Sequence, residues 1–380
     1  MRYTIALSLT SLLTTTAALA EVPRVVTDIP PVHSLVAMVM GDLGQPVLLM
    51  DRGGNAHDLQ LRPSQAAAIA DAQLAVWMGP AMAPWMERAL AGLGAAVPRL
   101  TLLEVEGTHL QEFGEEHDHD HEDAGEAGHD HDHAKEAGHD HDHDHADKAG
   151  HDHDHDHADK AGHDHDHDHG NKAGHDHDHD HGNKAEHDHD HDHAKESGHD
   201  HSGHSHSGLD PHAWLDPHNI EHWLPVIAAE LSRLDPANSA TYEANAKAGA
   251  EVIEALEAEI AAILEPVKDR PLVVFHDAYG YFAGHFGVKV AGAVRLGDAS
   301  SPGAARLRDL RAGLESGMAL CAFPEVGHDP ALVVQMTEGT GVRIGGMLDP
   351  AGAALTPGAG LYPDLMRGLA RTVADCLSAG

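Results

Sequence analysis

The chain is short of cations, of cysteine and of long apolar runs. It sets only 24 Lys and Arg against 62 Asp and Glu, a formal charge of -38 with His neutral, which excludes nucleic acid as a natural partner. Beyond the N-terminal segment no stretch reaches the roughly eighteen consecutive apolar residues that a bilayer span needs. Cysteine occurs twice, at Cys321 and Cys376, so no cysteine follows the N-terminal segment to carry a lipid. His-Glu-x-x-His and a serine nucleophile elbow are also missing, and no general base is placed by the chain near its candidate histidines. That speaks against a hydrolase.

The N-terminus reads Met1-Arg2, then an apolar run over 5–19, then Ala18-Leu19-Ala20 before Glu21. This is the layout of a cleavable secretory signal over 1–20, so the mature chain is expected to be free and soluble in the bacterial periplasm. In an exported protein an even pair of cysteines is read as one disulfide, here closing a loop of about 55 residues worth about 4 kcal/mol in the chain-entropy picture.

The feature present in excess is histidine. Of 39 His, nine lie outside the span 115–206 and thirty inside it, where blocks such as His151-Asp152-His153-Asp154-His155-Asp156-His157 recur about every twelve residues. Imidazole is the commonest protein ligand for zinc, copper and nickel, and interleaved carboxylates keep a divalent cation welcome. The span has almost no aliphatic or aromatic residue except Ala, so it is expected to be disordered and to interrupt a globular protein, either as a multi-site, weaker trap for a transition metal or as a solvated low-complexity spacer.

On either side the pattern is α/β. Strand-like runs at 24–27, 46–50 and 74–77 alternate with helix-like segments at 32–40, 63–70 and 84–93, the order of a mostly parallel sheet with helices on both faces. After the insertion, 219–234 has helical spacing, and 236–264 reads as one helix about 40 Å long. A second β/α series opens at 271–275, with further strand-like runs at 288–290 and 318–323. The long helix therefore looks like a connector between two similar lobes.

Among the nine remaining histidines, His33, His218 and His222 fall at helix starts, His109 leads into the insertion and His285 lies within a helix; ordinary structural roles are expected of all five. Three others follow strand ends or tight turns. His57 lies in Gly53-Gly54-Asn55-Ala56-His57-Asp58, His212 in Asp210-Pro211-His212-Ala213-Trp214, and His276 in Val274-Phe275-His276-Asp277 at the carboxyl end of a strand, where open α/β sheets bind ligands.

These segments, the long helix, the cysteine pair and the acidic His-rich insertion together resemble the zinc-binding periplasmic proteins of ABC uptake systems, the ZnuA type. The resemblance covers nearly all of the mature chain apart from the repeats. It implies two (β/α)4-like lobes joined by one rigid helix, with metal in the cleft between them. The division is then 21–114 and 209–235 for the first lobe around an insertion at 115–208, 236–266 for the linker, and 267–380 for the second lobe. His57 and His212 would come from the first lobe and His276 from the second, where manganese-binding relatives place a carboxylate. Some members carry Glu directly before the first His, but here that position is Ala56. A fourth ligand is expected from Glu325 or Asp329, or else from water.

The function so implied is high-affinity capture of Zn2+, the transported ligand, for delivery to a membrane ABC permease, by a monomer without enzymatic activity that can also meet a periplasmic zinc chaperone. Two other classes remain: a zinc buffer or metallochaperone uncoupled from any permease, which the insertion alone would support, and a zinc hydrolase, because three His and a water also hold catalytic zinc.

Overall fold

Short, fully buried strands lie at the centre of each half of the chain, and their unbroken apolar runs are what a parallel sheet covered on both faces demands. The computed structural model describes residues 22–93, 95–113, 208–296 and 302–379. The secretory-signal reading and the His/Asp-rich insertion fall outside the described residues. All described residues belong to one compact unit of the chain, 1–118 with 200–380.

In the first half, β1 (Val25–Thr27), α1 (Pro30–Met40), β2 (Val47–Leu48), α2 (Pro63–Asp71), β3 (Leu74–Trp77), α3 (Pro84–Gly92) and β4 (Arg99–Thr101) form a parallel sheet in the order β2-β1-β3-β4. After the insertion come α4 (Pro217–Leu234) and α5 (Ser239–Leu264). The second half follows with β5 (Leu272–His276), α6 (Gly280–Phe286), β6 (Val290–Arg295), α7 (Ala304–Glu315), β7 (Cys321–Ala322), α8 (Ala331–Thr337), β8 (Arg343–Ile344) and α9 (Leu361–Ser378). Its sheet, again parallel, has the order β6-β5-β7-β8, the first sheet's order repeated four strands later. Proline opens α1, α2, α3 and α4, where its missing N–H costs nothing and its fixed φ suits a helix start.

The linker helix α5 starts later than the periodicity indicates. Asp235 accepts from Asn238 Nδ2 at 2.6 Å and from the Tyr242 hydroxyl at 2.9 Å, which folds Pro236–Asn238 into a separate 3-10 turn and leaves a 26-residue helix. One face of α5, with Tyr242, Ala246, Gly249, Ile253, Leu256, Ile260 and Leu264, is buried at steps of three and four. At Gly249 a Cβ would sit 3.1 Å from Leu224 Cδ1, so α4 and α5 approach closely because that position has no side chain.

One continuous apolar core runs from Val25 through the α5 face to Leu377 in α9 and joins both halves; smaller clusters lie around Trp77 and around Phe275. Helix α9 packs on both α5 and α1, which brings the C-terminal segment back to the first sheet's helices. The Cys321–Cys376 disulfide pins α9 to β7 with a Cα separation of 6.3 Å. Among the described residues no helix is long and apolar enough to cross a membrane.

Candidate metal centre

His276 is the last residue of β5, so the ladder that ends there aims its side chain past the edge of the second sheet. It is 3 % exposed, and its Nδ1 lies 2.7 Å from Glu325 Oε2. A carboxylate accepts, so Nδ1 carries the proton and Nε2 presents its lone pair to the other side of the ring. His212, equally buried, is held the same way by the first half of the chain. Its Nδ1 lies 2.7 Å from Asp210 Oδ1, which also accepts from the His212 backbone N–H at 3.0 Å. The two Nε2 atoms face each other 3.4 Å apart.

His57 sits in the loop that leaves β2 and is fixed from both sides of its own position. Asn55 Oδ1 accepts its backbone N–H at 2.8 Å, and the carbonyl of Ala56 accepts the Trp85 indole N–H at 2.8 Å. Its ring lies 5.4 Å from that of His212, and one ligand atom each from His57, His212 and His276 falls within 4.8 Å of the others. The structure thus brings together three residues that lie 155 and 64 positions apart in sequence. They line a cavity of about 70 Å³ with Glu325, His328 and Asp349. One water needs about 10–15 Å³ of cavity on this measure, so there is room for an ion with small ligands beside the rings.

Both candidate acids lie outside that cluster. Glu325 is only 4 % exposed and stands behind His276, where its Oε2 also accepts from the Tyr279 hydroxyl at 3.1 Å and its Oε1 is 3.6 Å from His328 Nε2. Asp329 is exposed and turns its carboxylate to the Ala331 backbone N–H at 2.9 Å, at the start of α8. Ala56, directly before His57, is 6 % exposed, packs in the apolar core and offers no ligand atom. Sequence reasoning missed Asp210 and Glu325 as supports for the imidazoles. Asp210 was findable as an acid two residues before a His. Nothing local ties Glu325 to a residue 49 positions away.

The cleft is stitched shut around the site. The Trp214 indole donates to the Pro350 carbonyl at 2.8 Å, Gly53 N donates to the Ala353 carbonyl at 2.9 Å, and the Tyr281 hydroxyl donates to the Asp210 carbonyl at 3.0 Å. Asp349 organises the turn that carries Pro350 and Ala353 by accepting the backbone N–H groups of Ala353 and Ala354 at 2.8 and 2.9 Å. Burial raises its pKa, those N–H groups pull it back, and nearby Glu325 adds to the rise.

The histidines given ordinary roles divide. His33 is buried in α1, and burial lowers its pKa with partial offset from the Pro46 carbonyl. His222 lies in the second turn of α4 with Nε2 2.7 Å from the Glu106 carbonyl. The other three, His109, His218 and His285, converge on the buried carboxylate of Asp216.

A pair of like-built parallel α/β lobes, joined by a long helix and closing on a small polar cavity, defines a solute-binding protein. The family model described as "Zinc-uptake complex component A periplasmic", ZnuA, matches residues 25–376, and the chain belongs to this family. It is 48 % identical over 368 residues to the high-affinity zinc uptake system protein ZnuA of Paracoccus denitrificans, covering 96 % of this chain and 95 % of that one. The same-named protein of Brucella suis is 38 % identical over 357 residues, covering 93 % and 91 %. Among solved structures, a zinc-bound ZnuA deletion mutant aligns with TM-score 0.61 at 19 % identity, covering 94 % of this chain and 99 % of that one. A manganese complex of FpvC from Pseudomonas aeruginosa gives 0.62 at 19 %, covering 94 % and 98 %. These last two bear on the fold alone.

Proposed function

We propose that the chain is the zinc-capturing component of a periplasmic ABC uptake system and that His57, His212 and His276 hold the ion. The observation that carries this is the 3.4 Å between the two Nε2 atoms. Two nitrogens at Zn–N distances of about 2.0–2.1 Å on a tetrahedral zinc are about 3.3 Å apart, so the two buried imidazoles are already spaced as two corners of that polyhedron. His57, on the more exposed loop, supplies a third corner. The fourth is left to water, because Glu325 is committed to His276 and Asp329 to the α8 start. Three neutral nitrogens favour zinc over manganese, which prefers hard oxygen ligands.

Asp210 and Glu325 fix the tautomers and orientations of the two rings, so the site is organised before the ion arrives. Acid opposes capture, because each ligand imidazole must be neutral to coordinate. The core shared through α5 argues that loading moves loops and tilts lobes slightly rather than swinging a hinge. Membership of a solute-binding family supports a binding role without catalysis. The partners are then the zinc ion, a membrane permease and a periplasmic zinc chaperone, with the protein acting as a soluble monomer.

The thirty histidines of the insertion favour a second reading, a buffer that never docks on a permease. Zinc accumulation by cells deprived of their own uptake protein separates the two. Uptake restored by this chain and abolished by deleting the permease supports delivery. Restored zinc tolerance that survives loss of the permease supports the buffer.

A further inference from the structure

Asp216 stands four residues after His212 and caps α4, accepting the His218 backbone N–H at 3.0 Å. Capping accounts for that contact and for nothing else around it. His285, from α6 in the second half of the chain, lies between two carboxylates: its Nδ1 is 3.0 Å from Asp216 Oδ1 and its Nε2 is 3.1 Å from Glu257 Oε1 on the linker helix. His218 reaches the same two oxygens, with Nδ1 3.9 Å from the first and Nε2 4.0 Å from the second. The two rings are 4.6 Å apart, edge to face. His109 Nδ1 takes the other oxygen of Asp216 at 2.6 Å.

Two imidazoles thus share one pair of carboxylate oxygens, and one ligand atom each from Asp216, His218 and His285 lies within 4.8 Å of the others. Asp216 is buried and the His285 side chain is only 8 % exposed, whereas His218 has two-thirds of its side chain exposed. Both ring nitrogens of His285 face carboxylate oxygens, which accept, so without an ion that ring holds a proton on each nitrogen and the group carries one net negative charge in a partly desolvated place. A divalent cation that displaces one proton takes the freed nitrogen and balances both carboxylates. Nitrogen and oxygen donors in this mixture suit zinc and the neighbouring divalent transition metals. None of Asp216, His218, His285 and Glu257 lines the cavity of the three-histidine centre, so the two clusters are separate.

We propose that Asp216, His218 and His285, with Glu257 beside them, form a second site for a divalent transition metal of the zinc class. An ion held there ties α6 of the second lobe to the start of α4 and to the linker helix. The cluster does not depend on the three-histidine reading, because it uses none of those residues.

The test uses the full chain carrying His57→Ala and His276→Ala, which disables the first centre, and follows the midpoint of thermal unfolding as Zn2+ is added. An ion that binds only the folded chain is expected to raise Tm by about 5 °C at a hundred times its dissociation constant. Adding either His218→Ala, an exposed substitution that leaves packing alone, or His285→Ala should abolish most of this rise, and the insertion is common to all of these chains. No zinc-dependent rise in the double variant, or a rise that survives both added substitutions, overturns the proposal.

Discussion

Glu325→Gln isolates what the buried carboxylate does for the metal. Its Oε2 sits 2.7 Å from His276 Nδ1 and 3.1 Å from the Tyr279 hydroxyl, and the residue is 4 % exposed, so the amide can occupy the same volume and still accept through its oxygen. What disappears is the charge that strengthens the His276 donor ability and stabilises the metal-bound imidazole. Outer partners of this kind are worth about 10–100-fold in metal affinity, or about 1.4–2.7 kcal/mol. The assay is competition for Zn2+ against a high-affinity chelator, which reads the tightest binding event and leaves the weaker His-rich sites empty. Glu325→Gln is expected to lose that factor of about 10–100, whereas His276→Ala loses several orders of magnitude. Equal losses in the two variants would make Glu325 a direct ligand, and no loss would remove it from the site.

Replacing Cys321 and Cys376 together by Ser releases a crosslink spanning 55 residues, and urea unfolding should show about 4 kcal/mol less stability; an unchanged midpoint would refute the loop-entropy account. Burial pushes the Asp28 carboxyl up to about 7, with the Met78 and Ile29 N–H groups opposing the rise. The folded chain then favours neutral Asp28, a stability present below pH about 4 and lost as pH climbs through about 7, so Asp28→Asn should gain about 2 kcal/mol on the parent between pH 5 and 7. A difference between the two chains that stays constant with pH would show Asp28 ionised throughout. Deleting 115–206 should lower the number of zinc ions counted by calorimetry and slow acquisition from chelated zinc while leaving one tight site; an unchanged count would reduce the insertion to a spacer.

The parallel lobes were legible because their strands are apolar runs such as Leu74–Trp77 and Leu272–Phe275, and in the first lobe prolines mark where the following helices start. Short elements were less so. The three- and two-residue strands Arg99–Thr101 and Arg343–Ile344 carry exposed positions and no period long enough to read. Of the centre, His57, His212 and His276 stood out by their turns and strand ends, but sequence carries no distance, and the place of Asp210 and Glu325 behind the rings came only with the fold. The Asp216 cluster was hidden completely: His285 reaches Asp216 across 69 positions, and each of its histidines looks ordinary on its own helix.

The central claim is that zinc is held by His57, His212 and His276. Diffraction from the zinc-loaded protein on both sides of the zinc absorption edge tests it most directly. The account expects an anomalous peak in the cleft about 2.0–2.1 Å from one nitrogen of each of the three rings, with a non-protein oxygen at the fourth corner. An empty cleft in crystals whose zinc lies elsewhere, or a peak bound to Glu325 in place of His276, would contradict it.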